Sequence, residues 1–284
     1  MPRFDIGNSD NASNINFDIP NPIAQRFKIA WSDDGKQKTM ILLTKAVIDA
    51  GRQTSQDICL RIEPTEEPEN HEKSKQISSH HFSLRYIGNG IQFVNTGRNG
   101  STVDKKKVEP NIPVMIDRKT IISVADVLDL EMEPIQRIDG HEVADDLYKS
   151  AIAHATDSAL LQERFLGAEK PGMVNFLRIN RKNNLPDLQY VILFHSGWIG
   201  SGDDSLLRVP VSELTPRRRR SFDVGEQIAT DPARLLIHEG AIWIERTGGD
   251  DVFIGSKSIK LGKKHLLELG EIIVGKMVFS VSVE

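Results

Sequence analysis

Residues 77–103, ISSHHFSLRYIGNGIQFVNTGRNGSTV, contain two apolar, β-like runs on either side of Gly88-Asn89-Gly90. Asn-Gly between alternating apolar residues is the strongest short-range signal for a β-hairpin. A polar turn precedes the first run, and a glycine-rich turn follows the second. The segment therefore predicts a hairpin whose flanking loops are well placed to bind a ligand.

The loops around this hairpin carry the residue types that bind phosphate. Arg52 ends another apolar run upstream, while Ser78, Ser79 and Arg98 lie in the two flanking turns. An arginine supplies a planar, permanently charged fork, and hydroxyl and backbone N–H groups complete the shell around a dianion. Glycines in such turns allow close approach of the backbone to a ligand. This set suits recognition of a phosphorylated motif.

Three short motifs follow one another in the chain, each at the end of a predicted strand: Gly51-Arg52, Ser78-x-x-His81 and Asn99-Gly100. Their order resembles the forkhead-associated (FHA) domain. The resemblance implies that Arg52 and Ser78 contact the phosphate of a phosphothreonine, that Ser79 and Arg98 flank it, and that Asn99 hydrogen-bonds to the bound peptide's backbone. It further implies structural support of the site by Gly51, His81 and Gly100.

Arg98 departs from the small polar residue often found before Asn-Gly in this family. Two interpretations stay open: Arg98 strengthens the anion site, or it is a solvated loop charge.

Composition and charge narrow the class of protein. The chain has 284 residues, 39% of them hydrophobic and 27% charged, which indicates a folded protein of about two domains. A net charge of -4 and a pI near 6.1 argue against a general nucleic-acid-binding surface. Cys59 is the only cysteine, so no internal disulfide is possible. The sequence shows no signal peptide and no membrane-spanning run, so we expect a cytoplasmic location without membrane insertion.

Changes in composition divide the chain. Residues 1–26 are rich in Asn, Asp, Ser and Pro and predict a flexible tail. Residues 27–136 have short apolar runs without a convincing helix, and we assign them to the FHA domain. Within them, the polar stretch 63–76 predicts a mobile loop. Residues 137–172 contain an amphipathic helical pattern and predict a helical connector.

The C-terminal part repeats the first. At an offset of 151 residues, the spacing of Ile91 and Ile242, residues 91–93 superimpose on 242–244 and Thr96-Gly97 superimposes on Thr247-Gly248. With a small slip in register, residues 40–43 also match 190–193. Such self-similarity indicates a duplicated unit. We therefore predict an all-β fold, with two SMAD/FHA-like β-sandwiches joined by the helical connector and the second spanning 173–284.

The second copy lacks the ligand set. Ser201 stands where the first copy has Arg52, and Asp250-Asp251 stands opposite Asn99-Gly100. Thr230 and Ala233 lie approximately opposite Ser78 and His81. Carboxylates repel a phosphate dianion, so we expect a degenerate domain that does not bind phosphothreonine in the usual way. The run Arg217–Arg220 is either a solvated basic loop, a patch for an anion or an acidic partner, or part of a kinase target at Ser221 or Thr215.

Catalysis is not expected. Ser78 and His81 are three residues apart in a turn, without an orienting carboxylate or a glycine elbow, and do not form a nucleophile and base. We predict no enzyme activity, no cofactor and no metal site, because His71, His80 and His81 lack a second ligand cluster at metal-binding spacing.

The sequence thus predicts a phosphothreonine-dependent adaptor or scaffold whose partners are Ser/Thr protein kinases or their substrates. The alternative is an assembly protein that uses both sandwiches as interaction surfaces, with vestigial or intramolecular phosphate recognition. The state of Arg52 discriminates between them: an arginine locked in an internal ion pair favours assembly. The sequence does not determine the partner or the oligomeric state.

Overall fold

A computed structural model describes residues 25–87, 90–136, 174–182, 188–214, 231–248 and 250–283. These residues are mostly β, as predicted, and the part of the chain that is described contains one α-helix, α1 (Pro68–Gln76), and one 3-10 turn (Val211–Glu213). No helix in the described ranges is both long and apolar enough to cross a membrane. The strands of the N-terminal half are β1 (Gln25–Asp33), β2 (Lys36–Thr44), β3 (Val47–Gly51), β4 (Ile58–Cys59), β5 (Phe82–Tyr86), β6 (Ile91–Asn95), β7 (Ser101–Val103), β8 (Lys106–Lys107), β9 (Pro113–Ile116), β10 (Thr120–Val124) and β11 (Leu128–Gln136).

The C-terminal half continues this strand-rich pattern. Its strands are β12 (Val174–Lys182), β13 (Leu188–Leu193), β14 (Ser196–Gly200), β15 (Leu207–Arg208), β16 (Ala233–His238), β17 (Ala241–Arg246), β18 (Val252–Ile254), β19 (Lys257–Ser258), β20 (Lys264–Leu266), β21 (Gly270–Val274) and β22 (Met277–Val283). Most of these strands are short and bounded by turns, as in β-sandwiches.

The strands form three sheets. One five-stranded sheet has the order β4-β3-β5-β6-β9, and a second has the order β15-β14-β16-β17-β20. The third has twelve strands in the order β19-β18-β21-β22-β1-β2-β13-β12-β11-β10-β7-β8. The predicted hairpin is confirmed, because β5 and β6 pair antiparallel from Phe82↔Asn95 to Tyr86↔Ile91.

The twelve-stranded sheet crosses the two halves of the chain. The N-terminal hairpin β1–β2 pairs through β1 with β22, the last strand of the chain. The hairpin β12–β13 pairs through β12 with β11 of the N-terminal half. The strands β2 and β13 then pair parallel, from Thr39↔Leu188 to Leu43↔Ile192. Each half therefore provides a hairpin that extends the sheet of the other half.

Two hydrophobic cores lie on opposite faces of the central strands. Ile41 and Leu43 belong to the N-terminal core, which also contains Phe82 and Phe93. Met40 and Leu42, which alternate with them along β2, belong to the C-terminal core. Successive side chains of a strand point to opposite faces, so one strand contributes to both cores. This explains why residues 40–43 form a continuous apolar run instead of an alternating one.

The prediction of a mobile loop at 63–76 is wrong, because residues 68–76 form α1. The helix begins with Pro68 at its first turn, where the missing N–H has no helical partner to lose. Glu69 lies in the first turn and pairs with Lys73 one turn later, which complements the helix dipole. Buried Ser74 accepts a hydrogen bond from Ile62 N at 2.9 Å and anchors the helix to the chain before it.

Several predictions lie outside the described residues. These are the tail at 1–24, the helical connector within 137–173 and the Arg217–Arg220 run. The boundaries 27–136 and 173–284 stay predictions, and so does the division into two FHA-like sandwiches. The strand pairing nevertheless shows that hydrogen bonds and core contacts are shared across any such division.

Two neighbouring substitutions in β2 test this sharing. Leu42→Ala removes a fully buried side chain from the C-terminal core, which should lower the free energy of unfolding by about 2 to 5 kcal/mol. Hydrogen exchange followed by mass spectrometry should show the greatest loss of protection in β16 and β17. The matched variant Ile41→Ala should instead expose β5 and β6. Loss of protection in the same sheet for both variants would contradict the topology.

Candidate functional site

Three loops meet at one end of the sheet β4-β3-β5-β6-β9: 52–57, 77–81 and 96–100. Arg52 N donates to Ser78 O at 2.9 Å, which joins the first loop to the second. Thr96 N donates to His81 O at 2.8 Å, and Arg98 N donates to Ser78 Oγ at 2.9 Å, which joins the second loop to the third. All three predicted motifs are thus brought together.

The Arg52 side chain is held by its inner nitrogen. Nε donates to Ile77 O at 3.2 Å, and the side chain is half-buried. Its terminal nitrogens Nη1 and Nη2 make no ion pair or hydrogen bond with any residue that the structure describes. The fork of a guanidinium is therefore oriented by the protein while its two outer nitrogens keep their donors for a ligand.

Hydroxyl and amide groups lie in the two other loops. Ser78 Oγ accepts from Arg98 N, so its own hydroxyl proton is free to be donated to an anion. Ser79 and the Arg98 side chain are exposed. Asn99 is exposed as well, and its Nδ2 donates to Gln76 O at 2.8 Å, at the C-terminal end of α1. The helix that the sequence did not predict therefore holds one of the predicted ligand residues.

His81 is fully buried and connects two of the loops. Ser78 N donates to Nδ1 at 3.1 Å, so Nδ1 carries no proton in the neutral ring. Nε2 then carries the proton and donates to Gly100 O at 2.9 Å. Burial lowers the pKa of His81 from its ordinary value of 6.5, partly opposed by the bond to Gly100 and reinforced by the charge of His80.

Two glycines fit tightly against these loops. A Cβ at residue 97 would collide with the His81 ring, and a Cβ at residue 51 would collide with Ser79 O. Gly100 has φ +77°, a conformation that L-residues with a side chain rarely adopt. Glycine at these positions lets the three loops pack closely enough for the hydrogen bonds above to form.

Sequence reasoning missed other residues that shape the site. Asn95 is fully buried, and its Oδ1 accepts from Gly97 N at 3.2 Å and from Ser101 Oγ at 3.3 Å. His80 lies between Gln56 Oε1 at 3.1 Å and Ser83 Oγ at 3.2 Å, and so links the 52–57 loop to β5. The only sequence sign of the role of Asn95 is its position at the end of a predicted strand. No sequence pattern indicates that His80 links the 52–57 loop to β5.

One backbone hydrogen bond of the C-terminal half has a counterpart at this site. Thr247 N donates to Pro232 O at 2.9 Å, which matches the bond from Thr96 N to His81 O. By this match Pro232 stands opposite His81, next to Ala233, the approximate counterpart expected from the sequence. Thr230 lies outside the described residues. Arg246 occupies the position of Asn95 and pairs with Asp251 at 3.1 Å.

Comparison with known proteins assigns part of the chain to a family. Residues 48–125 match the model of the FHA domain family. The matched residues run from β3 to the end of β10 and contain all three site loops. The matched residues do not include the hairpins β1–β2 and β12–β13, or β11. No curated protein matches the chain.

Solved structures, among them two FHA domains, also resemble the chain at low identity. The yeast Dun1 FHA domain, bound to a doubly phosphorylated peptide derived from Rad53, is 15% identical, with a TM-score of 0.26, over 45% of this chain and 79% of that one. The N-terminal FHA domain of Saccharomyces cerevisiae Rad53p, bound to a phosphothreonine peptide, is 17% identical with a TM-score of 0.25. The match covers 37% of this chain and 90% of that chain. Mycobacterium tuberculosis EmbR, in complex with a low-affinity phosphopeptide, is 16% identical with a TM-score of 0.23. The match covers 36% of this chain and 23% of that chain.

The buried imidazole predicts a dependence of stability on pH. Because its pKa is lowered in the folded state, the unfolded chain takes up the proton at a higher pH, and the stabilisation by His81 is lost as pH falls below about 6.5. We expect the free energy of unfolding of the wild type, measured in urea at pH 7.5 and 5.0, to decrease with acidity.

His81→Gln should be less stable at pH 7.5 by about 2 kcal/mol, because buried hydrogen bonds are lost. It should also show a smaller decrease between the two pH values. An equal pH dependence in the variant and the wild type would mean that another group titrates.

Proposed function

We propose that the loops 52–57, 77–81 and 96–100 bind a phosphothreonine peptide and that the protein acts by recognising a phosphorylated partner. The observation that carries this proposal is Arg52: its guanidinium is anchored through Nε and keeps Nη1 and Nη2 without a partner among the described residues. It lies beside Ser78, whose hydroxyl proton is available. A charged fork plus a neutral donor is the arrangement that a phosphate dianion requires.

The family match supports the same ligand. FHA domains bind phosphothreonine peptides and are generally non-catalytic, and the matched residues include every residue assigned to the site from the sequence. In this proposal Arg52 and Ser78 contact the phosphate, Ser79 and Arg98 flank it, and Asn99 contacts the peptide backbone. Asn99 Oδ1 is the group best placed for this last contact, because Nδ2 is engaged by Gln76.

Arg52 also separates the proposal from the assembly alternative. The acidic residues of 63–76 do not hold it: no ion pair joins Arg52 to them within the described chain, where Glu69 and Glu72 pair with lysines of α1 instead. An arginine kept free of ion pairs in a half-buried site favours ligand recognition over a purely structural surface.

The proposed biological role is that of an adaptor or scaffold whose partners are Ser/Thr protein kinases or their phosphorylated substrates. In this proposal the C-terminal half is a second, degenerate FHA-like sandwich. Its Arg246 is engaged by Asp251, and Ser201 offers no charge where Arg52 stands in the first half. The cytoplasmic location stays a prediction.

A binding experiment on the full chain tests the proposal. A fluorescent pool of phosphothreonine peptides with degenerate flanking residues should bind the wild type, and the same pool without phosphate should not. Arg52→Ala should weaken binding by about tenfold or more, since one charge-assisted hydrogen-bonding group is worth about 1.5 to 3 kcal/mol.

Arg85→Ala is the matched control, because Arg85 is an exposed arginine of β5 in the same sheet. It removes the same charge and should leave affinity unchanged within about twofold. Equal binding of the two peptide pools by the wild type would refute phosphate recognition.

A further inference from the structure

Among the described residues of the C-terminal half, Arg181 of β12 contacts the backbone next to the proposed site. Arg181 lies opposite Leu130 in the β11–β12 pair, and directly paired residues share a face of the sheet. Leu130 belongs to the N-terminal core, so Arg181 faces the sheet that carries the site loops. Its guanidinium lies 5.7 Å from the centre of the Tyr190 ring.

The guanidinium of Arg181 donates to the backbone next to the site. Nη1 donates to Arg61 O at 3.1 Å, and Nη2 donates to Cys59 O. Cys59 O belongs to β4, and Arg61 O lies two residues after it. β4 is an edge strand of two residues that has few hydrogen bonds of its own. The two carbonyls accept from one rigid fork, which fixes the path of residues 59–61.

Residues 59–61 in turn hold the backbone at the base of the anion site. Leu60 N donates to Gly51 O at 2.8 Å, and Arg61 Nε donates to Arg52 O at 3.0 Å. A displacement of 59–61 would therefore move Arg52 itself, whose side chain needs its contact with Ile77 O to stay oriented.

The placement of Arg181 is not explained by packing alone. Its Nε is buried and has no hydrogen-bond partner in the part of the chain that the structure describes. Burying part of a guanidinium costs free energy that an apolar residue at this position would not incur. The two backbone contacts are what this arginine provides and a hydrophobic residue cannot.

We infer that Arg181 is a positioning residue for phosphopeptide binding, supplied by the half of the chain that lacks the ligand set. This inference rests on the proposed function of the site. Arg181 does not contact the phosphate; it holds 59–61, which hold Gly51 and Arg52. The hairpin β12–β13 is therefore part of the binding unit, although it lies beyond the residues that match the FHA family.

The test compares two arginines of one strand in the full chain. Arg181→Met should weaken binding of the phosphothreonine peptide pool by about three- to tenfold and raise amide hydrogen exchange at residues 51–62. Arg178→Met is the control, because Arg178 pairs with Glu133 and Ser205 O on the opposite face. It should leave both readouts at the wild-type level. Arg181→Lys should recover part of the affinity, since an ammonium donates to one carbonyl at a time.

Wild-type affinity and exchange in Arg181→Met would overturn the inference. So would a loss of protection spread evenly over the N-terminal core, because that pattern describes general destabilisation. If the wild type binds no phosphopeptide, the proposed function fails. In that case, amide hydrogen exchange at residues 51–62 still decides whether Arg181 positions Arg52, because it can be compared between Arg181→Met and the control Arg178→Met.

Discussion

The parallel pairing of β2 with β13 is the constraint on which the rest of the structure depends. Five consecutive residue pairs, from Thr39↔Leu188 to Leu43↔Ile192, join two sheets that would otherwise each end in an exposed edge. An unpaired edge leaves backbone N–H and C=O groups without partners and invites association with other chains. Pairing the two edges within one chain satisfies these groups and places both strands where each face is covered by a core.

The two stretches that match in sequence, residues 40–43 and 190–193, face the two cores in opposite ways. Leu42 aligns with Ile192, yet Leu42 lies in the C-terminal core and Ile192 in the N-terminal core. Likewise, Ile41 aligns with Val191, but Ile41 lies in the N-terminal core and Val191 in the C-terminal core. A twofold rotation about an axis parallel to the strands keeps their direction and exchanges the faces of the sheet. The two matched strands can then pair parallel while each half contributes a hairpin to the sheet of the other.

The meeting of the three loops was predictable because it depends on local chemistry. Asn-Gly in the hairpin and the polar residues at strand ends indicate the loops, and the order of the three motifs resembles the FHA domain. The helix α1 was predictable in principle from Pro68, Glu69 and Lys73 at capping and i,i+4 spacing, but its strongly polar composition concealed that pattern. The exchange of hairpins was not predictable, since local periodicity shows that residues 40–43 are buried on both faces and does not show which strand they pair with.

The same distinction applies to the second half of the chain. Ser201 aligns with Arg52, and that observation needs only the sequence. The proposed contribution of this half can be recognised only from the strand pairing, because Arg181 lies 129 residues (181 minus 52) after Arg52 in the chain. Neither residue belongs to a pattern that includes the other. They are connected only because β12 pairs with β11 and places the guanidinium against the carbonyls of Cys59 and Arg61. In the proposed function, the half without the ligand residues therefore supports the site through hydrogen bonds from one side chain to two backbone carbonyls, which a comparison of the ligand residues alone does not detect.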